Sequence, residues 1–228
     1  MGGILKKLLN ELKTPAMYYR DPVKRKLVEA LRGETVKVAI GDLWPKCEIF
    51  GYTKGQFSCI NVIEHCLKQT GPADVFIATW SASAGDIKAA HNFLQSGRIR
   101  TLKFLVDYSF KSRKPEFCDE LVATFGYDAI RVSVTHAKFI MVRNEKWDLV
   151  IRTSMNLNFN PRFENFEISD DKAFADFQQK IIDEIWSGQE LAEGFKVRPQ
   201  DNKEKFRKTF RDQGAIFGQD LADGRDLL

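Results

Sequence analysis

The chain has 228 residues, 43% of them hydrophobic, and a formal net charge of +4. That size and apolar content describe one folded domain with extra elements and exclude a disordered chain, while the charge is too small to mark a nucleic-acid binder by itself. No run is long enough to cross a bilayer, and the lysine-interrupted start fits neither a secretory leader nor a myristoylation signal, so a cytoplasmic protein is expected.

In chain order, Ile4, Leu5, Leu8, Leu9 and Leu12 have helical spacing over residues 3–13. Asp21-Pro22 opens a second predicted helix through Val23, Leu27, Val28 and Leu31, closed by Gly33. Alternation over Val36-Lys-Val-Ala-Ile40 predicts a strand, followed by an irregular stretch with Trp44, Pro45 and Gly51. Residues 56–69 read as a helix with Ile60, Ile63 and Leu67 inward, broken by Gly71-Pro72. Residues 74–80 form a near-continuous apolar run, as expected of a strand covered on both faces. A helix over 84–95, a strand over 101–106 and a helix over 115–125 come next. A strand over 129–134 is predicted to run on into the segment holding His136. Strands over 147–152 and 165–169 and an amphipathic helix over 173–186, through Phe174, Phe177, Ile181, Ile182 and Ile185, complete the series.

Alternating strands and helices predict an α/β fold, a mixed sheet flanked by helices on both faces. The expected organisation is an N-terminal helical extension (1–33), a central domain (34–190) and a polar C-terminal tail (191–228) carrying Phe206, Phe210 and Phe217. Lysines and arginines crowd both ends, from Lys6 to Lys26 and from Lys203 to Arg211, where they read equally as solvated faces or as a phosphate-backbone footprint. Cys47, Cys59, Cys66 and Cys118 form no C-x-x-C and match no zinc or disulfide module, so free thiols are expected. His65 beside Cys66 lies on a predicted amphipathic helix and is assigned a core or surface role.

The chemistry concentrates in Val134-Thr-His-Ala-Lys-Phe-Ile-Met-Val142. In a strand, His136 and Lys138 would share one face. Burying an imidazole and an ammonium together is costly unless something compensates them, and a phosphate would do so. Further on stand Arg152-Thr-Ser-Met-Asn-Leu-Asn158 and Asn165-Phe-Glu-Ile168. H-x-K, then S-x-N, then a downstream acid resembles the active-site motif of the phospholipase D superfamily, H-x-K-x4-D followed by G-S-x-N. Two positions depart from it: the motif's Asp falls at Arg143 and its Gly at Thr153. Asp148 is a candidate substitute for the first, and Thr153 is expected to cost backbone freedom at the turn.

The resemblance covers residues 34–190 and implies a phospholipase D-like fold and a metal-independent phosphodiesterase, with a nuclease acting on DNA or other nucleic acid as the favoured case. It implies that His136 forms a phosphohistidine, Lys138 and Asn156 bind phosphate oxygens, Ser154 adds a hydrogen bond, and Glu167 orients the imidazole. No metal or cofactor is called for. Only three histidines are present, and neither His65 nor His91 is followed by a lysine two residues on. A second catalytic imidazole therefore implies a homodimer with two copies of His136 across a two-fold axis. The rival readings are a silent member that binds nucleic acid or protein, and a phospholipid phosphodiesterase.

Overall fold

The apolar run at residues 73–79 is the spine of a sheet. The computed structural model describes residues 24–30, 35–159 and 161–189. Its elements are β1 (Arg25–Glu29), α1 (Val36–Ile40), β2 (Glu48–Thr53), α2 (Cys59–Thr70), β3 (Ala73–Thr79), α3 (Ala84–Gln95) and β4 (Ile99–Asp107). They continue as α4 (Phe110–Arg113), α5 (Pro115–Phe125), β5 (Ile130–Ser133), β6 (Phe139–Arg143), β7 (Asp148–Thr153), β8 (Glu164–Asp170) and α6 (Lys172–Gly188).

Among the described residues, eight strands form one mixed sheet in the order β1-β2-β8-β7-β6-β3-β4-β5. The segment β3-β4-β5 is parallel, with α3 and then α4–α5 in the crossovers, whereas β3-β6-β7-β8-β2 pair antiparallel. Strand alternation divides the apolar residues between two layers. Val75, Ile77, Phe104, Ile140, Val142, Leu149 and Ile151 join the larger cluster, with Ile63 of α2 and Ile87 of α3. Phe76, Ala78, Leu105, Met141 and Val150 turn to the other face and are covered by Ala175, Ile182 and Ile185 of α6. Both faces of β3 are therefore buried, which is why its sequence lacks polar alternation. The expected α/β sheet with helices on both sides is present.

Three short segments differ from expectation. Residues 25–29 are a strand parallel to β2, not part of a helix. Leu27, one of the apolar positions of that predicted helix, is 74% exposed, while Lys26 donates to the Ile40 carbonyl at 2.6 Å. Residues 36–40 form a helical turn, not a strand. The Thr35 hydroxyl caps it by accepting from the Val38 amide, and Gly41 ends it at φ 72°. That turn buries Ala39 and Ile40 and leaves Val38 exposed. The stretch read as irregular contains β2, where Gly51 lets strands approach: a Cβ there would lie 2.6 Å from Phe166 and 2.9 Å from the Val28 carbonyl oxygen. The predicted helix over 3–13 and the tail from 191 lie outside the described residues.

At the far edge, the Gln189 side chain behaves like a piece of strand. Its amide oxygen accepts from the Val132 N–H at 2.9 Å and its amide nitrogen donates to the Val132 carbonyl at 2.7 Å. Among the described residues no helix is long and apolar enough to cross a membrane.

Candidate active site

Strand directions gather the motif residues. The parallel strands β3 and β4 end side by side at Thr79 and Asp107. Antiparallel β6 begins at that end, with Phe139 opposite Ala78, so the residues just before it lie beside the ends of β3 and β4. β7 returns to the same end, with Arg152 opposite Phe139, and β8 leaves from it, with Phe166 opposite Thr153.

His136 and Lys138 occupy an irregular link between β5 and β6, not a continuous strand. The link is held by the Asp107 carboxylate accepting from the Thr135 amide at 3.1 Å, and by the Thr135 hydroxyl accepting from the Ala137 amide at 3.1 Å. The two side chains still meet, through the curl of this link. The Lys138 Nζ is 3.3 Å from the His136 Nδ1 and donates to the His136 carbonyl at 3.0 Å. His136 is exposed and Lys138 half-buried. Burial pulls the Lys138 pKa below the usual lysine value, and the carboxylates of Glu164 and Asp107 oppose that fall. The Trp80 ring lies 5.6 Å from the His136 ring.

The S-x-N segment follows β7. Thr153, at the motif's glycine, has no positive φ; its hydroxyl instead clamps the turn, donating to the Asn165 carbonyl at 2.7 Å and accepting from the Met155 amide at 3.0 Å. The expected backbone cost at Thr153 is therefore absent. Ser154 accepts from the Asn165 amide at 3.0 Å and donates to the Glu164 carboxylate. The Leu157 amide is tied to the Thr79 hydroxyl and the Ser81 carbonyl, each at 3.1 Å, which carries Asn156 to the end of β3. The side-chain oxygens of Asn156 and Asn158 are buried with no hydrogen-bond partner. Leaving such an acceptor unpaired costs about 1–3 kcal/mol, so each is a place where a donor from solvent or a ligand would be stabilising.

Glu167 does not join this group. It accepts two hydrogen bonds of 2.6 Å from Arg152, whose guanidinium lies over Phe174 of α6. Spacing of three in a strand sends Glu164 and Glu167 to opposite faces, and the acid beside Ser154 is Glu164. Arg143 and Asp148 pair across β6 and β7 at the end of β6 remote from His136. Arg143 also bonds Asp176, at 2.7 Å, so Asp148 serves this ion cluster and not the His136 link.

Glu164, Asp107 and Arg113 are not singled out as site residues by sequence. Arg113 carried one signal: it lies in the basic run Lys111-Ser-Arg-Lys114, just after a parallel strand. His65 takes the core role, buried and bonded to the Gly41 carbonyl at 2.8 Å, and burial lowers its pKa.

No protein-family model and no curated protein matches the chain. Similar solved structures include Nuc from Salmonella typhimurium, a phospholipase D family member (16% identity, TM-score 0.44, covering 63% of this chain and 96% of that one). NucT from Helicobacter pylori is similar at 13% identity and TM-score 0.42, over 61% of this chain and 97% of its own. A polyphosphate kinase from Porphyromonas gingivalis is similar at 10% identity and TM-score 0.44, over 64% of this chain and 27% of the kinase.

Proposed function

We propose that this protein is a phosphodiesterase of the phospholipase D type that cleaves nucleic acid through a phosphohistidine. The observation that carries the reading is the exposed His136 imidazole beside the Lys138 ammonium at 3.3 Å, at the same end of the sheet as the S-x-N turn. An imidazole open to solvent can reach phosphorus, and the ammonium neutralises its oxygens.

A His136 ring nitrogen attacks phosphorus and the bond to the leaving oxygen breaks. That oxygen takes a proton from His136 of a second copy in a homodimer. The second imidazole, now neutral, takes a proton from water; the water oxygen bonds to phosphorus as the phosphorus–nitrogen bond breaks, releasing a phosphomonoester and free His136. Lys138 and the amide nitrogen of Asn156 hold the oxygens as charge builds on them, and Ser154 supports the turn. Glu167 keeps the orienting role only if Arg152 releases it. Glu164, already bonded to Ser154 and acting on the charge of Lys138, supplies a carboxylate at the site without rearrangement.

The test is cleavage of single- and double-stranded DNA and RNA in excess EDTA by wild type and His136→Ala. Cleavage by wild type alone supports the proposal. Equal cleavage by both proteins, or none by either, overturns it. For the dimer, mixed particles holding one wild-type and one His136→Ala copy should be inactive; half of wild-type activity would sink the shared site.

A further inference from the structure

Trp80 follows β3 directly and belongs to neither apolar cluster, whereas Trp44 and Trp147 pack on the larger cluster and Trp186 on the smaller. One face of its ring is covered by the Arg113 guanidinium, with Cζ 3.4 Å from the ring centroid. Arg113 is fixed there by donating from Nη2 to the Trp80 carbonyl at 2.8 Å and from Nε to the Ser109 hydroxyl at 3.0 Å. No ion pair joins Arg113 to a carboxylate among the described residues, although Asp107 acts on it through space. Trp80 remains partly exposed, and the exposed Lys111 and Lys114 flank Arg113 in the sequence.

A core role does not account for this arrangement. A tryptophan needed only for packing would sit in a cluster, and a surface arginine would usually point to water or a carboxylate. Here a cation is stacked on an indole within ring-contact distance of the His136 imidazole. Stacking an aromatic on tryptophan is sequence-tolerant, because every base has a π-face, and basic side chains alongside suit a phosphate chain.

We propose that Trp80, backed by Arg113, is the stacking platform for a nucleobase next to the scissile phosphate, with Lys111 and Lys114 on the path of the following phosphates. This rests on the phosphodiesterase reading above and adds the substrate class: single-stranded or locally unpaired nucleic acid, since a base stacked within a duplex has no face to offer. Trp80 and Arg113 act in binding and positioning; the bonds made and broken stay at His136.

The test compares kcat/KM for bis(4-nitrophenyl) phosphate, a diester lacking any base, with kcat/KM for the 4-nitrophenyl esters of a 3′- and of a 5′-nucleotide, which place one nucleotide on one or the other side of the cleaved bond. In wild type the added nucleotide should raise kcat/KM roughly tenfold or more on one side. Trp80→Ala and Arg113→Gln should lower that ratio towards one, whatever their absolute rates, and Trp80→Phe should keep most of it. A wild-type ratio near one, or a ratio unchanged in Trp80→Ala, overturns the platform. Hydrolysis of bis(4-nitrophenyl) phosphate alone overturns it too while leaving a His136 phosphodiesterase intact. Loss of all hydrolysis in wild type would instead fell the underlying reading, and the platform with it.

Discussion

Ser154 donates its hydroxyl to Glu164, three residues before the acid that motif spacing selects. Glu164 also heads the influences that hold up the Lys138 pKa against burial. Glu164→Gln should therefore lower kcat/KM by roughly ten- to a hundredfold, the equivalent of a charged hydrogen bond of about 1.5–3 kcal/mol. Glu167→Gln removes the partner of Arg152, on the other side of the sheet, and should change activity less. Steady-state kinetics on both variants decides between the two acids; a larger loss in Glu167→Gln would return the orienting role to Glu167.

On the proposed mechanism Lys138 should set the alkaline limit. Its pKa lies below the usual lysine value because burial disfavours the charged form, and the proposed phosphate-binding role requires that charge. The high-pH limb of the kcat/KM profile should fall below the ordinary lysine range and shift further down in Glu164→Gln. For stability the sign is opposite to that of a paired lysine. Unfolded Lys138 holds its proton more tightly than folded Lys138, so this residue's contribution to stability rises with pH between the folded and unfolded pKa values. A limb unmoved by Glu164→Gln would remove Lys138 as its source.

Restoring the motif's aspartate should harm the protein. Arg143 is bonded to Asp148 and Asp176, and those hydrogen bonds keep its pKa high although burial works the other way. With Arg143 22% exposed, Arg143→Asp should cost about 3 kcal/mol by putting three carboxylates together, at the low end for a broken buried pair. Lys172 and Arg143 hold the Asp176 pKa below the usual carboxylate value. That contribution is present at neutral pH and is lost as pH falls through the folded value, so Arg143→Met should flatten the acid side of the stability curve. Urea titrations between pH 3 and 7 read both effects.

Gly51→Ala should destabilise by about 1–3 kcal/mol, as over-packing does, because its Cβ would meet Phe166 and the Val28 carbonyl. The urea midpoint should fall with little change in slope. An unchanged midpoint would mean that β1 moves away freely.

The four cysteines are free and buried. Burial pushes Cys59 up to about 12 and Cys118 up to about 11, and raises Cys47 and Cys66 as well. Reaction with a disulfide reagent at pH 8 should be negligible in the native state and should count four thiols in denaturant. Fast native labelling would contradict this burial.

Long apolar or periodic segments were legible in the sequence. α3, α5 and α6 follow from a helical period repeated over several turns, and β3 and β4 from apolar runs too short for a buried helix, β3 being set off by Gly71-Pro72. Residues 25–29 and 36–40 take the opposite structures from those expected because five residues fit either period, and backbone pairing with distant β2 and capping by Thr35 decide the outcome. His136 and Lys138 do not meet by strand alternation: they come together in a link pinned by Asp107, a long-range contact that spacing does not encode. Likewise, the strand expected over 165–169 holds Glu167 but not Glu164; β8 starts at Glu164, and the face each acid takes separates the two.

The Gln189 side chain, lying along Val132, occupies the outward N–H and carbonyl that an incoming strand would need there. An unpaired edge is a template for another chain, and at Val132 this one is already taken by the protein's own glutamine. Two copies cannot join their sheets by strand pairing at Val132 while Gln189 holds it. The same plug guards the protein against fibre-like growth by strand addition at Val132.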